Sequence, residues 1–433
     1  MATKPKNAPP KAAKVSAAKA AVASGGGLMT ALAGIITEIG VKESRTYRPV
    51  PTGINVLDYY NARYFMNHET KEYELFSGMP MGKLILKVGY TGTGKTTLCV
   101  QEGMALVEPY ESGTVFHFDL ENAWSKERTA DITGLPMEVV DRKYKRFDPV
   151  PLETIYAFVK KVINAKQEMM KDPNSEIWVE DVRTGERVPT PTVIIVDTVA
   201  ALQSEQVMNE NEEMGKLMFE KGAQAGANNA FAQRMAGMIG DPNITIYAVN
   251  HIRELIQDPT KPKPKRVQYM RADETCPGGT GFPQYADYYL KMTPCESLTD
   301  KSDEGFAIPG KIVRCTIVKS RLSYDGRQFE LVMTDNGFSN AWSNLHFLKS
   351  VKAVKGAGAH LFIEAPDGRT TQKFAQRNWE NLYEGDEAFR EIADARLEVE
   401  LMNLVPQPGT SAEQEVLSAA ASADAIEAGE ATA

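Results

Sequence analysis

The hydrophobic pattern changes period along the chain. Leu84–Val88, Thr114–Phe118, Val193–Val196 and Ile244–Val249 are short apolar runs that read as strands. Between them, Lys95–Val107, Leu152–Met170 and Gly215–Met238 read as helices. Strands alternating with helices predict a parallel sheet covered on both faces. Further on, Ala286–Met292, Ile312–Val318 and Phe329–Met333 read as strands joined by turns. Residues 174–191 are polar and contain two prolines, which predicts an inserted loop or hairpin. No internal repeat is present.

The flanks differ from this centre. Residues 1–27 carry Lys4, Lys6, Lys11, Lys14 and Lys19, no acid and no hydrophobic period, so a disordered basic tail is expected. A short amphipathic helix is expected within 28–43, followed by the connector Tyr47-Arg48-Pro49-Val50-Pro51. Residues 28–50 thus form an N-terminal segment whose apolar face could pack on a neighbouring subunit or fold back on its own core. The predicted core runs from 51 to 345. A small α+β appendage follows at 346–405, ending in a helix near Asp386–Leu401. Residues 406–433 begin with Pro406 and Pro408 and carry Glu413, Glu415, Asp424, Glu427 and Glu430 without a base, the composition of a disordered acidic tail.

Composition narrows the class. Hydrophobic residues at 42% and charged residues at 24% suit a globular chain, and no apolar run is long enough to span a bilayer. The four cysteines, Cys99, Cys276, Cys295 and Cys315, form no CxxC pair. That disfavours zinc ribbons and disulfide frameworks and leads us to expect a reducing, cytoplasmic setting. The net charge of −8 does not exclude nucleic acid, because contact depends on local potential.

The chemistry concentrates in Gly89-Tyr90-Thr91-Gly92-Thr93-Gly94-Lys95-Thr96, with Thr97 following. This is a complete GxxxxGK[ST] phosphate loop between a predicted strand and a predicted helix. Its backbone N–H groups and the helix N-terminus suit phosphate oxygens. Lys95 is placed to reach the β- and γ-phosphates of ATP and Thr96 to ligate Mg²⁺. Val193-Ile194-Ile195-Val196-Asp197 ends a strand in a carboxylate able to hold the Mg²⁺ water shell. Glu121, in Asp119-Leu120-Glu121-Asn122, stands at another strand tip. It could orient and deprotonate a water, or serve only as a surface or capping carboxylate.

Several segments together resemble the RecA recombinase family: Thr52-Gly53-Ile54-Asn55-Val56-Leu57-Asp58, Gly78-Met79-Pro80-Met81-Gly82-Lys83, Asp119-Leu120-Glu121-Asn122-Ala123, Asp197-Thr198-Val199-Ala200-Ala201-Leu202 and Asn250-His251-Ile252-Arg253. Gly278-Gly279-Thr280-Gly281 and Val318-Lys319-Ser320-Arg321 resemble phage recombinases of the UvsX type. The resemblance covers about residues 50–335. It implies a RecA-like P-loop NTPase core with an N-terminal oligomerisation helix, and ATP and Mg²⁺ bound between subunits of a helical filament. It further implies that Glu121 is the general base, that His251 senses the γ-phosphate, and that Lys319 and Arg321 approach a neighbour's nucleotide. Where relatives often carry an adenine-stacking aromatic, this chain has Arg128, with Trp124 nearby.

Two polar stretches, Ser204–Glu213 and Leu255–Pro277, follow strand ends. The second carries Lys261, Lys263, Lys265, Arg266 and Arg271 around Tyr269, groups suited to phosphates and to base stacking. By resemblance these loops and Gly278-Gly279 face DNA. The implied function is ATP-dependent pairing and strand exchange of single- and double-stranded DNA, with loading or single-strand-binding proteins as partners. A phage-encoded chain would do this inside its host cell. The alternatives are a hexameric helicase of the same fold and an ATP-gated DNA-binding scaffold.

Overall fold

The computed structural model describes residues 45, 47–67, 70–203, 205, 221–254, 274–297 and 310–408. Residues 1–27 and 409–433 of the tails, the 28–43 helix, nearly all of 204–213, and the candidate DNA contacts Lys261, Lys263, Lys265, Arg266, Tyr269 and Arg271 lie outside the described residues.

Among the described residues the central sheet has nine strands: β1 (Leu84–Gly89), β2 (Thr114–Asp119), β3 (Tyr144–Phe147), β4 (Thr192–Asp197), β5 (Ile244–His251), β6 (Tyr288–Ser297), β7 (Gly310–Ser320), β8 (Gln328–Thr334) and β9 (Gly337–Phe338). Their spatial order is β9-β8-β7-β6-β1-β5-β4-β2-β3. Every pairing from β6 through β1, β5, β4 and β2 to β3 is parallel. The β6–β7, β7–β8 and β8–β9 pairings are antiparallel. The fold is therefore α/β with a large, mostly parallel sheet, as the alternating pattern predicts.

The parallel strands are buried on both faces because each supplies apolar residues to two cores. Ile85, Val193, Ile195, Tyr247 and Val249 face one core. Leu84, Leu86, Val88, Ile194, Val196, Ile244, Ile246 and Ala248 face the other. The helices are α1 (Asn55–Tyr60), α2 (Lys95–Val107), α3 (Lys126–Thr133), α4 (Met137–Lys143), α5 (Leu152–Met169), α6 (Lys221–Ala236), α7 (Gly281–Tyr285), α8 (Asn340–Ser350), α9 (Trp379–Gly385) and α10 (Glu387–Met402). Leu98, Cys99, Val100 and Met104 of α2 fill the first core. The stripe Leu152, Ile155, Val159 and Ile163 of α5 fills the second, at helical spacing.

Lys87 of β1 and Glu102 of α2 form a fully buried ion pair at 2.5 Å, with the Lys87 ammonium 5.0 Å from the centre of the Tyr247 ring. Lys166, at the end of α5, donates to the carbonyls of Thr190 and Asn243 and to Thr192 Oγ1, gathering the start of β4. Burial pushes its pKa down to about 7.

The 174–191 segment contains the antiparallel hairpin Trp178–Glu180 and Arg187–Pro189. Helix α8 spans 345/346, where the sequence places the start of the appendage. Its Trp342, Leu345 and Leu348 join Phe374, Trp379 and Phe389 in the same core that α2 enters. Among the described residues no helix is long and apolar enough to cross a membrane, and the four cysteines are free thiols.

Candidate nucleotide-binding site

Parallel strands direct their C-terminal ends to one edge of the sheet, and the first backbone turns beyond them form a crevice. Here that edge carries Gly89, Asp119, Asp197 and His251, the last residues of β1, β2, β4 and β5. Strand β5 lies between β1 and β4, so His251 stands beside both the phosphate loop and Asp197.

The phosphate loop is shaped by its glycines. Gly92 and Gly94 adopt φ of +77° and +76°, a region costly for residues with a Cβ. A Cβ at Gly94 would also lie 2.3 Å from Met333 Sδ and 2.9 Å from the Phe338 ring. The β8–β9 turn thus covers the start of α2. Thr93 Oγ1 and Lys95 Nζ both donate to the Tyr90 carbonyl, at 2.9 and 2.8 Å. Burial lowers the Lys95 pKa, while the charges of Asp197 and Glu121 oppose that shift. Thr96 Oγ1 donates to Asp197 Oδ2 at 2.6 Å. This hydroxyl–carboxylate pair is the oxygen set a hard cation prefers, so the residues present fit Mg²⁺ held through Thr96 and Asp197.

Across the crevice, Glu121 Oε1 and His251 Nε2 are 2.8 Å apart. Glu121 belongs to the turn after β2 and remains 43% exposed, accessible to a water. The turn folds around Asp119, whose carboxylate accepts from the N–H groups of Ala123 and Trp124 and from Arg146 Nε. Burial pushes the Asp119 pKa up, but these donors outweigh it and the net direction is down. Behind Asp197, buried His117 places Nε2 3.8 Å from Oδ2 and contacts the Tyr144 hydroxyl through Nδ1.

The site includes residues that the sequence motifs did not single out. Lys311 of β7 donates to the Gly92 carbonyl at 2.7 Å. Glu274 follows the 255–273 segment and is almost fully buried. It accepts from Tyr90 of the phosphate loop at 3.1 Å and from Lys291 of β6 at 2.7 Å. Asn250 donates to the Pro277 carbonyl at 2.7 Å and to Cys276 Sγ at 2.9 Å. The chain leaving that segment is therefore tied to the phosphate loop and to the tip of β5. No local motif marks these partners, since each contact joins residues far apart in the chain.

The other expected residues are dispersed. Gly278 and Gly279 have φ of +91° and +87° and lie against α6, where Asn228 Nδ2 donates to the Gly278 carbonyl at 3.2 Å. Lys319 donates to the carbonyls of Pro283 and Gln284, and Arg321 pairs with Asp287 at 3.0 Å. In the sheet register Lys319 is level with Tyr289 and hence with Leu86. That is three residues below Gly89, roughly 10 Å along the strand, and two strands to the side. Lys319 and Arg321 therefore lie away from the phosphate loop of their own chain. Arg128 donates to the Asp335 carbonyl in the β8–β9 turn, and Trp124 Nε1 donates to Thr129 Oγ1.

No family model and no curated protein matches the chain. Among solved structures it is similar to one described as the crystal structure of the RadB recombinase. That match is 15% identical and covers 60% of this chain and 92% of that chain, with a TM-score of 0.34.

Proposed function

We propose that this protein is a Mg²⁺- and ATP-dependent DNA recombinase of the RecA type. The observation that carries the reading is the meeting of five groups at one sheet edge. Lys95 and Thr96 open α2, Asp197 accepts from Thr96, and Glu121 faces His251 from the next strand tips. Phosphoryl transfer to water needs this division of labour. Lys95 neutralises charge on the β- and γ-phosphates. Glu121 accepts a proton from the attacking water, and His251 fixes the carboxylate while contacting the γ-phosphate. Mg²⁺ would spread the developing negative charge while held by Thr96 and Asp197.

The positions of Lys319 and Arg321 support a shared site. Remote from their own loop, they would serve a nucleotide bound by the adjacent subunit, adding positive charge there. Assembly into a filament would complete each site. The 255–273 segment, with Lys261, Lys263, Lys265, Arg266, Tyr269 and Arg271, and the Gly278-Gly279 turn would contact DNA along the axis. The ties from Glu274 and Asn250 to the nucleotide site support communication between the two.

Strand exchange between single-stranded and homologous duplex DNA tests this, with Lys95→Ala as control. Joint molecules formed with ATP and lost in the variant are expected. Closed rings with directional unwinding would replace the reading with a helicase. ATP binding without DNA-stimulated hydrolysis would replace it with a scaffold.

A further inference from the structure

Arg146 belongs to no motif, yet it holds both ends of the turn that presents Glu121. Strand β3 contains only Tyr144–Phe147 and forms the sheet edge. Its position relative to β2 is fixed by the parallel ladder that sets Arg146 against His117 and Phe147 against Phe118. It is fixed again by the stacked Phe118 and Phe147 rings, 4.8 Å apart and inclined by 17°. From that anchored position the guanidinium reaches over the tip of β2. Nε donates to Asp119 Oδ2 at 2.9 Å, Nη2 to Asn122 Oδ1, and Nη1 to exposed Asp148 at 3.0 Å.

Asp119 and Asn122 bracket Glu121. Asp119 is the last residue of β2 and its carboxylate is 1% exposed. It organises the turn through the N–H groups of Ala123 and Trp124. Asn122 holds φ of +54°, a left-handed conformation unfavourable for most residues but accessible to Asn. A planar guanidinium can bond both partners at once, which a lysine ammonium on a flexible stem does poorly. Glu121 itself has none of these ties; its carboxylate is left to face His251.

We propose that Arg146 is a positioning residue for Glu121, clamping the Asp119–Asn122 turn so that the carboxylate is held toward the attacking water. The proposal rests on the hydrolytic reading above. It assigns Arg146 a part in turnover but none in nucleotide affinity, since its donors are directed at the turn and at Asp148, and none at the phosphate loop. Displacement of a catalytic group by about 1 Å can cost up to ~100-fold in rate.

The test is steady-state ATP hydrolysis by the full chain on single-stranded DNA for wild type, Arg146→Gln, Arg146→Lys, Glu121→Gln and the Arg146→Gln/Glu121→Gln double variant. Urea midpoints establish folding. Arg146→Gln should lower kcat about tenfold with KM for ATP within about twofold, and Arg146→Lys should fall between it and wild type. In the Glu121→Gln background, Arg146→Gln should change kcat by less than about twofold, because residues acting through one another are not additive. Unchanged kcat in Arg146→Gln, or an equal loss in both backgrounds, overturns the proposal alone. Wild-type turnover by Glu121→Gln overturns the general-base assignment as well.

Discussion

Tyr90→Phe removes one hydroxyl from the contact joining the phosphate loop to the chain leaving the 255–273 segment. The acceptor is Glu274, whose side chain is 2% exposed and also paired with Lys291. Hydrogen bonds to charged groups contribute about 1.5–3 kcal/mol. The Tyr90–Glu274 distance of 3.1 Å is long for an O–H donor, so the lower end applies, about 1.5 kcal/mol. The ring is retained and no cavity forms. If the bond forms fully only with nucleotide bound, the loss falls on coupling, and a change of this size is roughly tenfold in an equilibrium constant. Anisotropy of a fluorescent single-stranded oligonucleotide, with and without a slowly hydrolysed ATP analogue, measures the ratio of affinities. A three- to tenfold smaller ratio is expected in the variant, roughly the range for 0.7–1.4 kcal/mol. An unchanged ratio together with an unchanged urea midpoint would refute the reasoning. A lower midpoint with an unchanged ratio would make the contact purely structural.

Lys95→Ala should lower kcat by at least about 100-fold, because on the proposed reading it removes the cation that neutralises the phosphates; ATP turnover measures this. Gly281→Ala would place a Cβ 2.4 Å from Asn229 Cα. Forcing α7 from α6 should cost about 1–3 kcal/mol, read from the urea midpoint. Asp58 is raised from 3.8 to about 7, by burial above all and against its hydrogen bonds from Thr52. Between those values the folded state holds a proton that the unfolded state has released, so stability falls as pH rises from about 4 to about 7 and is flat above. Urea unfolding of wild type minus that of Asp58→Asn should show this slope, with an upper bound of about 4 kcal/mol; a flat difference across the window would contradict it.

Much of the molecule was legible in local sequence. The apolar runs at Leu84–Val88, Val193–Val196 and Ile244–Val249 become strands buried on both faces, because only a doubly covered sheet conceals such runs. The spacing in Leu152–Met169 matches the face it buries. Gly92 and Gly94 signal left-handed turns, and Lys95 and Thr96 open the helix as the loop pattern requires. Short or irregular elements escaped: α1, the hairpin of Arg63–Met66 with Tyr73–Phe76, the stretch from α3 through β3, and α8. Their apolar residues are too few or too unevenly spaced to reveal a period, and packing decides their form.

Sequence by itself determined the identity of the phosphate-loop groups, because their chemistry depends on consecutive residues in one turn. It also located the carboxylates at strand tips. Only the tertiary structure decided which of them meet. Inserting β5 between β1 and β4 brings His251 to Glu121, and the edge position of β3 gives Arg146 its hold on Asp119 and Asn122. Folding the chain back after residue 273 brings Glu274 beneath Tyr90. The antiparallel return of β7 carries Lys319 and Arg321 toward the far edge of the sheet. Pairings of this kind depend on strand order and register, which arise from burying both sheet faces at once and leave no mark in any short stretch of chain.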